Sequence, residues 1–164
     1  MAGLTHLKLR KAVIAAAQQL NPLGINQGTS GNVSVRAGDG LLITPSGMAY
    51  DTLQPSQIVW MDLDGRFDGD WQPSSEWQFH CDIVRARPDI VAVVHTHAAN
   101  ATALACLGKG IPAFHYMVAV AGGADIRCAP YATFGTAALS GHALAALEDR
   151  RACLLANHGL IACG

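Results

Sequence analysis

The run Ile90-Val91-Ala92-Val93-Val94 leads without a break into His95-Thr96-His97, and it constrains this chain more than any other segment. An apolar run of that length reads as a β-strand. Its side chains repeat with a period of two, so His95 and His97 project from one face where the strand leaves the core. Two imidazole nitrogens presented together suggest a metal. A divalent ion held by histidines and one carboxylate keeps a position open for substrate, as catalytic sites do. The plainer reading is a pair of surface or hydrogen-bonded imidazoles, and the pair alone does not choose between them.

Composition narrows the choice of partner. The chain has 164 residues and is 51% hydrophobic, enough for one domain with a real core spanning 1–164. Lysine and arginine number 11 against 12 acidic residues, so there is no basic field for nucleic acid and no polybasic membrane patch. A small, locally recognised molecule fits better. Cys81, Cys106, Cys128, Cys153 and Cys163 are scattered without a C-x-x-C pair, which predicts buried thiols in a reducing compartment. Neither a signal-peptide pattern near Met1 nor an apolar stretch of roughly 18 residues is present, so the expectation is a soluble cytoplasmic protein.

Periodicity predicts alternating helical and extended segments. Leu4, Leu7, Val13, Ile14, Ala17 and Leu20 recur at helical spacing, and Pro22 with Gly24 closes that helix. Residues 32–36 alternate like a strand, Gly38-Asp39-Gly40 is a hairpin turn, and 41–43 pair back. A further strand is expected over 57–61. Ser75 and Gln78 have the spacing of a capping box for a helix running toward Pro88. Helices over 101–107 and 137–147 and a strand over 152–156 complete the pattern.

His158 follows that last strand directly, in Asn157-His158-Gly159, and is the third candidate ligand. Sites in layered α/β proteins gather at such strand ends. Glu76 is the best carboxylate, because it falls in the first helical turn, where the dipole favours a negative group. The same helix start, with Ser74 and Ser75, could instead bind an anion. The loops Gly28-Thr29-Ser30-Gly31-Asn32 and Thr44-Pro45-Ser46-Gly47 offer similar amides and hydroxyls. Together they resemble a phosphate cradle without arginine, although serine and glycine serve turns just as readily. No Walker motif or G-x-G-x-x-G indicates a nucleotide. Tyr116 either packs or supplies a proton. His80 lies four residues after Glu76 and can share its helix face, but it ranks below the three histidines, as do His6, His115 and His142.

These segments, together with 111–117 and 128–136, resemble the class II aldolase and adducin family in order along nearly the whole chain, most of all its L-fuculose-phosphate aldolase members. The resemblance implies an α/β fold, a three-layer α/β/α domain with a central, mainly antiparallel sheet. It implies zinc, or another divalent ion such as Mn2+, Co2+ or Fe2+, held by His95, His97 and His158 with Glu76 against the metal as acid and base. It places Gly31, Asn32, Ser46, Gly47, Ser74 and Ser75 around a substrate phosphate. Tyr116 would reach the aldehyde end from a neighbouring subunit of a homotetramer, making the site an interface.

The implied reaction is reversible cleavage of a ketose 1-phosphate, L-fuculose 1-phosphate or a related deoxy-ketose 1-phosphate, to dihydroxyacetone phosphate and an aldehyde. A metal acting as Lewis acid would stabilise the enediolate, and no Schiff-base lysine is needed: Lys8, Lys11 and Lys109 all lie outside the motifs. Related pentulose-phosphate 4-epimerases carry aspartate at the position of Glu76 and another acid near Tyr116, which favours an aldolase. Methylthioribulose-phosphate dehydratase and a metal-free, adducin-like assembly domain are the other readings. Family members continue past Gly164 with further helix and a tail, so a missing C-terminal helical part and exposed apolar surface under 152–163 are expected.

Overall fold

The computed structural model describes residues 4–164, and the segments that look extended in the sequence assemble into one sheet. Its strands are β1 (Asn32–Ala37), β2 (Gly40–Ile43), β3 (Val59–Asp62), β4 (Ala92–Thr96), β5 (Arg127–Ala129), β6 (Ala152–Leu155) and β7 (Gly159–Cys163). They lie in the order β3-β2-β1-β4-β7-β6-β5. Every neighbouring pair is antiparallel except β5 with β6, so the sheet is mainly antiparallel, as expected. The strand carrying the histidines occupies its middle.

Alternation of side chains divides the apolar residues between two cores. Leu41, Ile43, Val93 and Ile161 turn to one face, against Phe79 and Ile83 of α2 (Trp77–Ala86) and Leu139 and Ala143 of α4 (Ala137–Ala146). Leu42 and Val33 turn to the other, where Val13, Ile14, Ala17 and Leu20 of α1 (Leu7–Leu20) cover them. Helices therefore lie on both faces, giving the three layers, and α3 (Ala99–Cys106) packs on β6 and β7. Each fully buried Val, Leu, Ile or Phe among them contributes about 1.5–3 kcal/mol of burial free energy. No helix among the described residues is long and apolar enough to cross a membrane.

Several local expectations change. The capping box at Ser75 does not form: α2 starts at Trp77 with Glu76 as its N-cap, and no side chain caps it. The reason lies upstream. Pro73 bridges to Pro45, with Ser46 N donating to Gln72 O and Ser74 N to Thr44 O, and this tie holds the chain extended up to Ser74. The strand expected at 57–61 begins at Val59, because Pro55–Gln57 forms a 3-10 turn. Ile90 and Val91 precede β4 and do not belong to it. The thiols are not all buried: Cys81 and Cys153 are, whereas Cys106 is exposed at the end of α3, and all five are free.

Arg36 locks the end of α2 to the sheet. Its Nη2 lies 2.5 Å from Val84 O, 3.2 Å from Ile90 O and 3.3 Å from Arg87 O, so one guanidinium serves carbonyls of the helix end and of the lead into β4, Arg87 O accepting from Ile90 N–H as well. Replacing it removes donors from acceptors that water reaches poorly. Arg36→Met is expected to cost about 1–3 kcal/mol, seen as a lower urea midpoint at unchanged slope.

Candidate metal centre

The sheet register assembles the site. His95 lies opposite Asn32 on β1 and opposite Ile161 on β7, and Thr96 lies opposite Leu160. The start of β1, the exits of β2 and β4 and the start of β7 therefore share one end of the sheet. His97 stands one residue beyond β4, its backbone N–H donating to Asn26 Oδ1 at 3.2 Å. His158 arrives through the β6–β7 hairpin, where Leu155 pairs with Gly159. Asn157 turns that loop at φ 55, a left-handed conformation that asparagine tolerates.

These placements bring four side chains together. His95 Nε2 lies 2.9 Å from His97 Nε2 and 3.2 Å from Glu76 Oε2, and His158 Nε2 lies 3.2 Å from Glu76 Oε1. The histidine donors lie within 4.8 Å of one another. Nitrogen and oxygen ligands held about 2.0–2.1 Å from a tetrahedral ion stand roughly 3.3 Å apart, so the spacing suits one.

Proton accounting gives a second test. Leu160 O can only accept, so His95 Nδ1 donates to it at 2.8 Å, and Nε2 of the neutral ring presents a lone pair toward the Glu76 carboxylate. Two lone pairs in that relation need a proton or a cation between them. Glu76 Oε1 is buried and makes no hydrogen bond. Burial pushes the Glu76 carboxyl up to about 7, with donation from Asn32 pulling it back, and a positive ion there would favour the charged form. Burial and the neighbouring imidazoles hold His95 well below its ordinary value. Burial first, then His97, brings His158 down to about 4, and burial lowers His97. Neutral imidazoles are what a metal requires.

The hydroxyl loops join the same end. Ser74 is buried, its Oγ accepting Glu76 N–H at 3.3 Å, while Ser75, Ser46 and Gly47 are exposed beside it. Gly31 is required by packing, since a Cβ there would lie 2.7 Å from His95 O. The side chain of Asn32 points inward: Nδ2 donates to Glu76 Oε2 at 3.0 Å, and Oδ1 lies 2.5 Å from His80 Nε2. Tyr116 is 79% exposed, its ring tilted against that of His115, and makes no hydrogen bond with the histidine cluster of its own chain.

His80 stays outside the histidine cluster, as its lower rank implies, yet it joins the site one layer out through Asn32. Its ring is fully buried between Ser34 and Asn32, and burial brings it down to about 3. The signal was its i+4 spacing from Glu76. Gly159 was missed altogether: a Cβ there would lie 2.5 Å from Thr96 O and 3.0 Å from His97 Cδ2, and only the identity of the neighbouring strand could have disclosed that. His142 lies half-buried on α4, its Nδ1 3.1 Å from Pro130 O and away from the cluster.

Residues 11–164 match the family model described as Class II Aldolase and Adducin N-terminal domain. A 5-methylthioribulose-1-phosphate/5-deoxyribulose-1-phosphate aldolase of Rhodospirillum rubrum is 62% identical over 98% of this chain and 72% of its own length. An L-fuculose phosphate aldolase of Escherichia coli is 53% identical over 95% of the chain and 73% of its own length. A solved L-fuculose 1-phosphate aldolase superposes with TM-score 0.95 at 41% identity, covering 100% of this chain and 78% of that one.

Two outcomes are expected. Alanine at His95 or His97 removes one of three nitrogen donors and should abolish stoichiometric zinc, read by elemental analysis of the folded protein. For His80, the unfolded ring takes up a proton near 6.5 and the folded ring only near 3, so between those values the unfolded chain binds more protons and stability is lost as pH falls. Between pH 7.5 and 5.5 the wild type should lose about 1.4 kcal/mol more than His80→Gln in urea titrations, the other histidines cancelling in the difference.

Proposed function

Because the chain belongs to the class II aldolase and adducin family, we propose that it is a cytoplasmic, zinc-dependent aldolase that cleaves a deoxy-ketose 1-phosphate to dihydroxyacetone phosphate and an aldehyde. The observation that carries this reading is the buried Glu76 carboxylate, 3.2 Å from both His95 Nε2 and His158 Nε2. An assembly domain has no use for a desolvated acid among three lone-pair donors. The two named aldolase relatives act on ketose 1-phosphates that differ beyond the bond to be broken, so L-fuculose 1-phosphate and 5-deoxypentulose 1-phosphates are the substrates to compare.

A divalent cation held by His95, His97 and His158 supplies Lewis-acid stabilisation of the negative charge that develops on the ketone oxygen. The chain's own groups do the rest. The backbone amides and hydroxyls of Gly31, Asn32, Ser46, Gly47, Ser74 and Ser75 hold the phosphate, with Asn32 offering its backbone, since its amide side chain is engaged. Binding that remote group orients the reacting carbons. The hydroxyl on C4 passes its proton to the Glu76 carboxylate, with Tyr116 of a neighbouring subunit relaying it from that oxygen. The C3–C4 bond breaks, its electron pair passing toward the C2 oxygen, and the aldehyde leaves. Glu76 then gives a proton to C3, and in the synthetic direction takes it back, a role suited to a carboxyl pushed up to about 7. The chain's lysines, Lys8, Lys11 and Lys109, are all exposed, which fits chemistry without a Schiff base.

A homotetramer places Tyr116 in its neighbour's site. Phe114, Met117 and Val120 are exposed beside it at 75%, 52% and 67%, an apolar surface suited to burial between subunits. Glu76→Gln should lower kcat by about 10²–10⁴-fold in a coupled assay of dihydroxyacetone phosphate release, and undiminished turnover would remove Glu76 from the mechanism. Mixing Glu76→Gln with Tyr116→Phe subunits should recover activity that neither homomer has, because some sites then hold both native groups. No recovery after subunit exchange would place Tyr116 outside the shared site.

A further inference from the structure

Beyond the reacting groups the site contains a buried polar chain that the reaction as described does not use. Ser34 on β1 and His80 on α2 are both 0% exposed, and His80 stacks on Phe79. Asn32 Oδ1 can only accept, so His80 Nε2 carries the ring proton and donates across 2.5 Å. Nδ1 is then a lone pair, and the Ser34 hydroxyl donates to it across 2.7 Å. Burial, which brings His80 down to about 3, keeps the ring in this neutral form.

The consequence falls on Asn32. With Oδ1 committed to His80, the amide must turn Nδ2 toward Glu76 Oε2, where it donates at 3.0 Å. The opposite orientation would set oxygen against carboxylate oxygen and N–H against N–H. Glu76 Oε2 is thereby tethered, while Oε1 makes no hydrogen bond. Held on both ring nitrogens, the imidazole cannot rotate, and its rigidity passes to the amide.

We propose that His80 and Ser34 are positioning residues: through Asn32 they fix the Glu76 carboxylate with Oε2 tethered and Oε1 left free to exchange a proton with substrate. This rests on the assignment of Glu76 as the acid–base group. The arrangement needs a ring N–H at one atom, which separates it from packing.

Three variants make that separation. His80→Gln retains an N–H for Asn32 Oδ1, His80→Phe retains the ring without it, and Ser34→Ala releases Nδ1. His80→Phe should lower kcat by about 10–100-fold at unchanged KM and metal content, with His80→Gln within about threefold of wild type and Ser34→Ala between them. In cobalt-substituted protein the visible absorption should shift in His80→Phe and stay as wild type in His80→Gln. Nitrogen NMR of the metal-free wild type should find His80 as the neutral Nε2–H tautomer near pH 7, a reading that does not depend on any variant folding. An Nδ1–H tautomer, equal losses in the Gln and Phe variants, or a folded Phe variant with wild-type kcat and cobalt spectrum would overturn the proposal. If the wild type cleaves no ketose phosphate, the acid–base assignment fails instead, while the tautomer and the cobalt spectra still decide whether the chain of hydrogen bonds orients Glu76.

Discussion

The pairing of β4 with β1 on one side and β7 on the other is the interaction on which everything else depends. It puts Asn32 beside His95 and brings Gly159, and with it His158, to the exit of the same strand. Each flanking strand also carries a glycine or small loop residue where the site is tight. Gly31 and Gly159 let backbone pass within contact of His95 and Thr96, where any side chain would push the ligands apart. The site is thus a property of the register, since a slip of one residue turns every ligand on β4 to the opposite face.

Electrostatics give the site its instability and its use. A carboxylate and three imidazoles share a volume with little water, and burial disfavours the charged form of each. Lone pairs that would repel in isolation become a ligand set when a positive ion joins them. The second layer, Leu160 O on His95 and Asn32 on Glu76, fixes which atom of each ligand faces inward. Stability near the site is therefore tied to charge balance as much as to apolar burial.

Much of this was legible in the sequence, and the failures have physical causes. Helical spacing located α1 and α4, and the Gly38-Asp39-Gly40 turn located the β1–β2 hairpin, because those signals are local. The three clustered histidines were readable because strand ends and a hairpin loop present side chains in predictable ways. What escaped was set by contacts distant in sequence. The start of α2 moved because Pro73 is tied to Pro45, β4 begins later than its apolar run, and the three-residue β5 carries too few residues to show a period. His80 could be placed on the face of Glu76, but not against Ser34 and Asn32, whose position follows from the sheet. Tyr116 stands exposed at the start of the 3-10 turn Tyr116–Ala121, and no contact with the histidine cluster of its own chain marks its role.

The β6–β7 hairpin has one more consequence. His95 and His97 come from the middle of the chain, whereas His158 rides on the loop that Asn157 turns and joins them only after β7 has docked on β4. During synthesis the first two ligands emerge well before the third, and a partly made chain offers only a weak pair. A cation that needs all three donors can therefore be held only once this hairpin has found its place.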